Sequence, residues 1–426
     1  MKRRVIVIGA GAAGLLAAGR AAEAGAQVLV LEKMEEAGKK ILVSGQERCN
    51  LTNSAPLETF LQNYYPDGRF LRNAFARFFR EELLALLAAY GVKTQTERGG
   101  RIFPASGRAV EVRDALLRYA ITHGAEIRYR SPVQSLLIEN GRIQGVRLPN
   151  APVIAADAVI LTTGGASWVS TGSTGDGYRM ASEVGHTIVP LRPSLVPLKT
   201  AEKSYARLLQ GVSLRNVRCR LLVRDAAGRE RPLPPPYPLP DTGEMLFTHF
   251  GVSGPLVLSL SLGAVDALRT QREVWLSIDL KPGMTLEEVR ARLQREFEAA
   301  PHKHLPALLA GWGPKRIGEV LATWSGIGNA REVHTLRAAE RDALAALIKD
   351  WRWRITGHLP LEAGMVTAGG VALAEVDPRT LASRKIAGLY LAGEVLDIAA
   401  DTGGYNLQAA FSTGCVAGEN AAHATG

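Results

Sequence analysis

Gly9, Gly11 and Gly14 stand at the spacing G-x-G-x-x-G, directly after the apolar run Val5 to Ile8 and directly before a small-residue stretch, Ala12 to Ala24. Glycine at the first position permits a tight turn. At the second it lets the backbone approach a pyrophosphate, and at the third it lets a helix touch a strand. A helix opening at Ala12 and Ala13 turns its positive end toward phosphate. Glu32 closes the next apolar run, Gln27 to Leu31, 18 residues beyond Gly14, where a carboxylate can accept hydrogen bonds from ribose hydroxyls. Strand, glycine loop, helix, strand and terminal acid together specify a parallel βαβ unit that holds a dinucleotide.

Two distant stretches favour FAD over NAD. Residues 386–392 form an apolar strand running into Gly393 and Glu394, an arrangement that delivers an acid to the ribityl chain of a flavin. That strand is expected in the parallel sheet beside the opening βαβ unit. Leu161-Thr162-Thr163-Gly164-Gly165 resembles the strand-plus-glycine stretch that crosses back over an FAD fold. No second G-x-G-x-x-G occurs, so NAD(P)H, as an electron donor, would have to share the substrate cleft.

The elements that must position these residues are legible as periodicities. Residues 158–162 read as a further buried strand, and 126–130, 133–138 and 143–148 as shorter strands with an Asn140-Gly141 turn. Phe70 to Tyr90 and Glu111 to His123 have apolar residues at helical spacing. After Pro190 the character changes to short β-type runs (217–223 and 274–280) and a proline cluster, Pro232 to Pro240, read as an exposed loop. Leu286–Ala299, Leu305–Leu309, Lys315–Thr323 and Ala338–Ile348 then read as helices. The expected architecture is an α/β fold. A discontinuous Rossmann-type FAD-binding domain (1–190 and 357–426) carries an inserted β-rich subdomain (191–284) and an inserted helical subdomain (285–356).

Bulk composition narrows the function class. The chain has 426 residues, 46% of them hydrophobic and 22% charged, ordinary values for a globular enzyme. Its net charge of +10 admits anionic partners, but no Lys/Arg block of five occurs, so nucleic acid is not the expected partner. Cys49, Cys219 and Cys415 are too few and too scattered for a disulfide framework, which fits a reducing cytoplasm. No apolar run approaches the length of a membrane span, and no His/Asp/Glu cluster has metal-ligand spacing, so neither membrane nor metal is expected. Oligomeric state is left open.

Lys40 to Asn53, with Ser44-Gly45, Arg48-Cys49-Asn50 and Thr52-Asn53, resembles a signature of the BaiN/YhiN-like (aminoacetone oxidase-like) NAD(P)/FAD-dependent oxidoreductases. Phe247 to Pro255, Val366 to Val371, Ala392 to Asp397 and Thr402 to Ala410 agree with the same family, so the resemblance covers essentially the whole chain. It implies that Glu32 and Lys33 lie at the adenosine ribose. Lys39, Lys40, Ser44, Gly45, Arg48, Cys49, Asn50, Thr52 and Asn53 would run along FAD, and Val133 would touch the adenine. Thr163, Gly164, Gly165, Gly393 and Glu394 would face the ribityl or pyrophosphate, with Gly404, Asn406, Leu407 and Gln408 at the isoalloxazine edge. A departure stands at Gln46-Glu47, where the family has two glycines, which removes the easy access to positive φ. Thr171 to Gly177 also resembles fumarate-reductase-like flavoproteins.

Two residues are candidates for chemistry. His249, in a turn beside Gly251-Val-Ser-Gly-Pro, is either a proton donor near flavin N5 or a histidine that only hydrogen-bonds the turn. Tyr405 either contacts substrate or packs. Arg48 would pair with the pyrophosphate or form a surface ion pair, Cys49 reads as a packed thiol, and Trp312, Trp324, Trp351 and Trp353 as core. The expected activity is an FAD-dependent oxidoreductase passing hydride between NAD(P)H or a small organic substrate and flavin N5. The alternatives are an FAD-dependent RNA-modifying enzyme and a flavin-binding protein without turnover.

Overall fold

Four apolar runs and the short strand Glu126–Arg128 become a parallel sheet. Strands β1 (Arg4–Ile8), β2 (Gln27–Leu31), β3 (Glu126–Arg128), β4 (Ala158–Leu161) and β5 (Leu389–Leu391) lie in the order β5-β4-β1-β2-β3. β4 and most of β1 are buried without alternation, as strands covered on both faces are. β5 joins this sheet as expected, but against β4 rather than beside β1. The coordinates are a computed structural model describing residues 2–225, 228–233, 237, 242–270 and 272–423.

The chain divides into one unit of residues 1–193 and 361–426 and another of residues 194–360. In the first, helix α1 (Ala12–Glu23) is flanked by α2 (Ala109–Thr122) and α3 (Tyr405–His423). Close approach of α1 and α3 depends on what is missing. A Cβ at Gly414 would overlap the Ala13 carbonyl oxygen, and one at Gly418 would overlap that of Ala17. The expected helix over 70–90 is broken at Phe78 and Phe79, whose extended backbones separate Arg72–Arg77 from Arg80–Ala89.

In the second unit, six antiparallel strands close on themselves. Ser213–Arg224, Gly243–Thr248, Gly251–Ser253, Leu198–Thr200, Trp351–His358 and Glu273–Asp279 pair in that order, and the last pairs back to the first. Closure removes the sheet edges that would otherwise invite aggregation. The buried helix Pro255–Arg269 and the helices between residues 286 and 349 share one hydrophobic core with these strands. Trp312, Trp351 and Trp353 are fully buried in it. The proline-rich stretch 232–240 lies mostly outside the described residues.

Where the chain returns to the first unit, a buried polar network anchors it. Strand Ile188–Ser194 pairs with Val366–Val371. Just before the former, His186 Nδ1 lies 3.1 Å from Glu375, and His186 Nε2 lies 2.8 Å from Ser383 Oγ. Because a carboxylate only accepts, Nδ1–H donates to Glu375 and Nε2 accepts from Ser383. Burial lowers the pKa of His186 despite that carboxylate, which fits the neutral ring. Burial pushes Glu375 up, but hydrogen bonds from Lys385, Thr187 and His186 outweigh it and bring the carboxyl to about 2. A carboxyl with a depressed folded pKa stabilises fully above its ordinary value of 4.5, and the contribution is lost as pH falls toward about 2. The denaturation midpoint of Glu375→Gln should therefore lie below wild type at about pH 6, with the gap narrowing below about pH 4.5 and closing only as the pH approaches about 2. A gap that stays constant across that range would contradict the assignment.

Candidate functional site

The glycine loop explains itself position by position. Gly9 has φ +97°, and a Cβ there would come 2.8 Å from the Thr162 carbonyl oxygen. A Cβ at Gly14 would overlap the Gly9 carbonyl oxygen. Gly11 differs: its φ of −79° suits any residue, and a Cβ would meet nothing within 4 Å. Neither backbone nor protein packing calls for glycine at that position. The open space lies at the start of α1, which has no side-chain cap, so the first N–H groups of Ala12, Ala13 and Gly14 lack partners within the helix. Space, missing side chain and positive helix end together fit a phosphate-bearing cofactor.

Glu32 is buried, with Oε2 accepting from Ala10 N–H at 2.7 Å and Oε1 from Met34 N–H at 2.8 Å. Each carboxylate oxygen has a further lone pair, so the group shapes the glycine loop and still has capacity for ribose hydroxyls. Val133 is buried on the segment that runs back past Glu32, where Ser131 N–H donates to the Glu32 carbonyl.

The lysines are already matched to acids. Lys33 pairs with Asp176 at 2.6 Å and also bonds Thr174, and Lys39 pairs with Glu35 at 2.6 Å. Burial raises Asp176, but Lys33 outweighs it and holds the carboxyl below the usual range. Lys40 bonds Glu394 at 2.6 Å, and Glu394 also accepts from Thr367 N–H at 2.9 Å and lies 3.3 Å from Ser167 Oγ. Glu394 thus stands at the end of β5 in a prearranged network. Gly165 is squeezed into it: a Cβ there would overlap Thr367 Oγ1 and lie 2.9 Å from Glu394. Gly164 has φ +73°, and Thr163 Oγ1 is buried without a hydrogen bond among the described residues. Gly393 has φ +76°, and a Cβ there would come 2.9 Å from Ala13 Cβ at the start of α1.

The segment 44–53 is sewn to the C-terminal turn by its asparagines. Asn50 Oδ1 accepts from Gly404 N–H at 3.1 Å, with its amide oriented to donate to the Thr52 and Ile102 carbonyls. Asn53 donates to the Gly99 and Gly403 carbonyls at 3.0 and 3.2 Å. A Cβ at Gly404 would overlap the carbonyl of Thr52. Asn406 bonds back to Ala400 and Asp401, and Gln408 is fully buried, donating to Ser412. Of this stretch, Leu407 is only partly buried. These polar residues hold backbone to backbone, and the N–H of Gly404, the residue expected at the isoalloxazine edge, donates to Asn50.

Arg48 pairs with Glu97 and lies over the Phe103 ring at 4.3 Å, the ion-pair alternative of its two readings. Tyr405 is buried against Phe60, with ring centroids 4.6 Å apart, a packing position with no open face for substrate. Gln46 and Glu47 keep φ of +57° and +64°, so the loop follows the left-handed path without its two glycines. Cys49 is fully buried, which raises its thiol to about 12 and makes it inert, while Ser44 bonds the Ile41 carbonyl beside it. In the other unit His249 is exposed on a turn, ring to ring with Phe250 at 4.9 Å. Its ring nitrogens make no hydrogen bond among the described residues. Ser167 escaped the sequence reading, and Asp176 and Thr367, though inside stretches quoted for a resemblance, were given no role, since single polar residues beside a glycine run carry no spacing signal.

Comparison with known proteins agrees with this cradle. A family model described as "HI0933-like protein Rossmann domain" matches residues 3–420. The 3-dehydro-bile acid delta(4,6)-reductase of Clostridium scindens is 35% identical over 98% of this chain and 99% of its own. The ribosomal RNA dihydrouridine synthase of Escherichia coli is 32% identical over 96% of this chain and 95% of its own. Among solved structures, Mycobacterium smegmatis Sdh1 in complex with UQ1 superposes with a TM-score of 0.50 at 17% identity, covering 99% of this chain and 68% of that one, a likeness of fold alone. The chain belongs to the HI0933-like family and is an FAD-dependent oxidoreductase.

Proposed function

We propose that this protein saturates a carbon–carbon double bond conjugated to a carbonyl in a small organic molecule, with NAD(P)H as the electron donor. One observation carries the reading. Two relatives that match over nearly their whole length are named for different molecules, yet a 3-dehydro delta(4,6)-reductase and a dihydrouridine synthase both denote adding hydrogen across such a bond. FAD supplies hydride chemistry when bound. Glu32, the Gly9–Gly14 loop and the Lys40–Glu394 network would hold and orient it.

Hydride addition at the β-carbon leaves negative charge toward the carbonyl, and a proton must then reach the α-carbon. His249 is the candidate donor, because its ring is exposed and uncommitted to the turn that carries it. An RNA substrate is the second reading, favoured by the second relative and the charge of +10. Filter binding to ribosomal RNA with a steep salt dependence would promote it.

Anaerobic protein reduced by NADH or NADPH should be reoxidised by α,β-unsaturated ketones, with the saturated ketone as product. Failure of every enone in a panel to reoxidise it would sink the reading. His249→Ala should retain FAD and slow that turnover roughly 10²–10⁴-fold. Unchanged turnover would remove His249 from the chemistry. Gly11→Val should keep the fold, because no protein atom stands in the way, yet bind no FAD. A yellow variant with full FAD occupancy would show that the open space serves something else.

A further inference from the structure

Three residues from two separated segments converge on the surface of the second unit. His302, Glu332 and His334 each offer a ligand atom, all within 4.8 Å of one another. His302 Nδ1 lies 3.1 Å and His334 Nδ1 3.3 Å from the same carboxylate oxygen, Glu332 Oε2. The two imidazole rings meet at a centroid distance of 5.0 Å.

The backbone prearranges this cluster. Residues 301–305 and 331–334 form a short antiparallel ladder around the His304–Glu332 bridge. Leu305 N–H donates to the Arg331 carbonyl, Val333 N–H to Lys303, and His334 N–H to Pro301, at 2.9, 3.0 and 3.0 Å. Leu305 and Val333 are buried anchors on either side of the ladder, and Val333 separates Glu332 from His334 in one short turn. The Glu332 and His334 side chains therefore face the same way; His334 Nδ1 also lies 3.0 Å from the Pro301 carbonyl, to which it donates, so a cation taking Nδ1 displaces that proton. One nearby cation is turned aside: Arg331 is engaged by Glu340 and by the Thr335 carbonyl.

We infer that His302, Glu332 and His334 form a binding site for a divalent cation of the zinc class. Two imidazoles and one carboxylate are the donor set that such borderline ions take, in contrast to the all-oxygen sets of Mg2+ and Ca2+. Ligands at ~2.0–2.1 Å from a tetrahedral Zn2+ stand roughly 3.3 Å apart. The two N···O separations, 3.1 and 3.3 Å, are close to that value, and the three ligand atoms lie within 4.8 Å of one another, so loading draws the imidazoles together and releases His334 Nδ1 from the Pro301 carbonyl. With three protein ligands at an exposed position, water completes the coordination. Bound there, the cation clips the 301–305 segment to the 331–334 segment and stabilises the helical part of the second unit.

The test is a calorimetric titration of Zn2+ into the chelator-stripped, FAD-loaded full chain, repeated with Co2+ to read coordination from its visible spectrum. One equivalent should bind. His302→Ala, His334→Ala and the near-isosteric Glu332→Gln should each weaken binding by at least about tenfold. His423→Ala, at the exposed end of α3, should leave it unchanged. Flavin absorbance and circular dichroism matching wild type establish that each variant is folded. Absence of a binding isotherm in wild type, or equal affinity in the His302→Ala/His334→Ala double variant, overturns the site.

Discussion

Two helices from opposite ends of the chain touch through bare backbone, and the cofactor cradle depends on that contact. α1 follows the glycine loop, and α3 is the last helix of the chain. They meet where Gly414 and Gly418 of α3 face Ala13 and Ala17 of α1. Ala13 belongs to the turn whose N–H groups face the phosphate space, so the position of α3 sets the position of the phosphate end of the site. Gly393, at the end of β5, packs against the same alanine. A helix that would otherwise look like a dispensable tail thus forms one wall of the dinucleotide fold.

The polar residues of the site divide their labour in a way their types alone do not reveal. Asn50, Asn53 and Asn406 hold loops to one another, and the glycines they hold provide the close approaches. Lys40 and Glu394 neutralise each other before any cofactor enters, so neither charge stands unpaired in a partly buried place. On the proposed placement, a bound FAD would share or displace these contacts, so the cradle is prearranged rather than pre-formed in every hydrogen bond.

The βαβ unit, the glycine fingerprint, Glu32 and the return of the C-terminal strand were legible because each rests on a local pattern with one physical cause. Periodicity marks strand and helix, and glycine spacing marks the turn. The alternation in 217–223 and 274–280 also declared strands, but closure of the barrel depends on pairing between Ser213–Arg224 and Glu273–Asp279, which no local signal announces. Arg48 and Tyr405 stayed open between two readings in the sequence for one reason. A conspicuous residue within a signature suggests ligand contact, whereas Glu97 and Phe60, the partners that claim them, lie 49 and 345 residues away in sequence. His302, Glu332 and His334 were invisible for the same reason, since a 30-residue separation has no motif.

Gly414→Ala separates the close-contact account from a local one, because the two give opposite signs. In an isolated helix the substitution stabilises by about 1 kcal/mol, through propensity alone. Against Ala13 the added methyl has no room, and α3 must shift away from the phosphate end of α1. The decisive measurement is the denaturation midpoint of Gly414→Ala together with its FAD content per chain. Contact between the backbones predicts a lower midpoint and reduced FAD occupancy. A raised midpoint with one FAD per chain would contradict it.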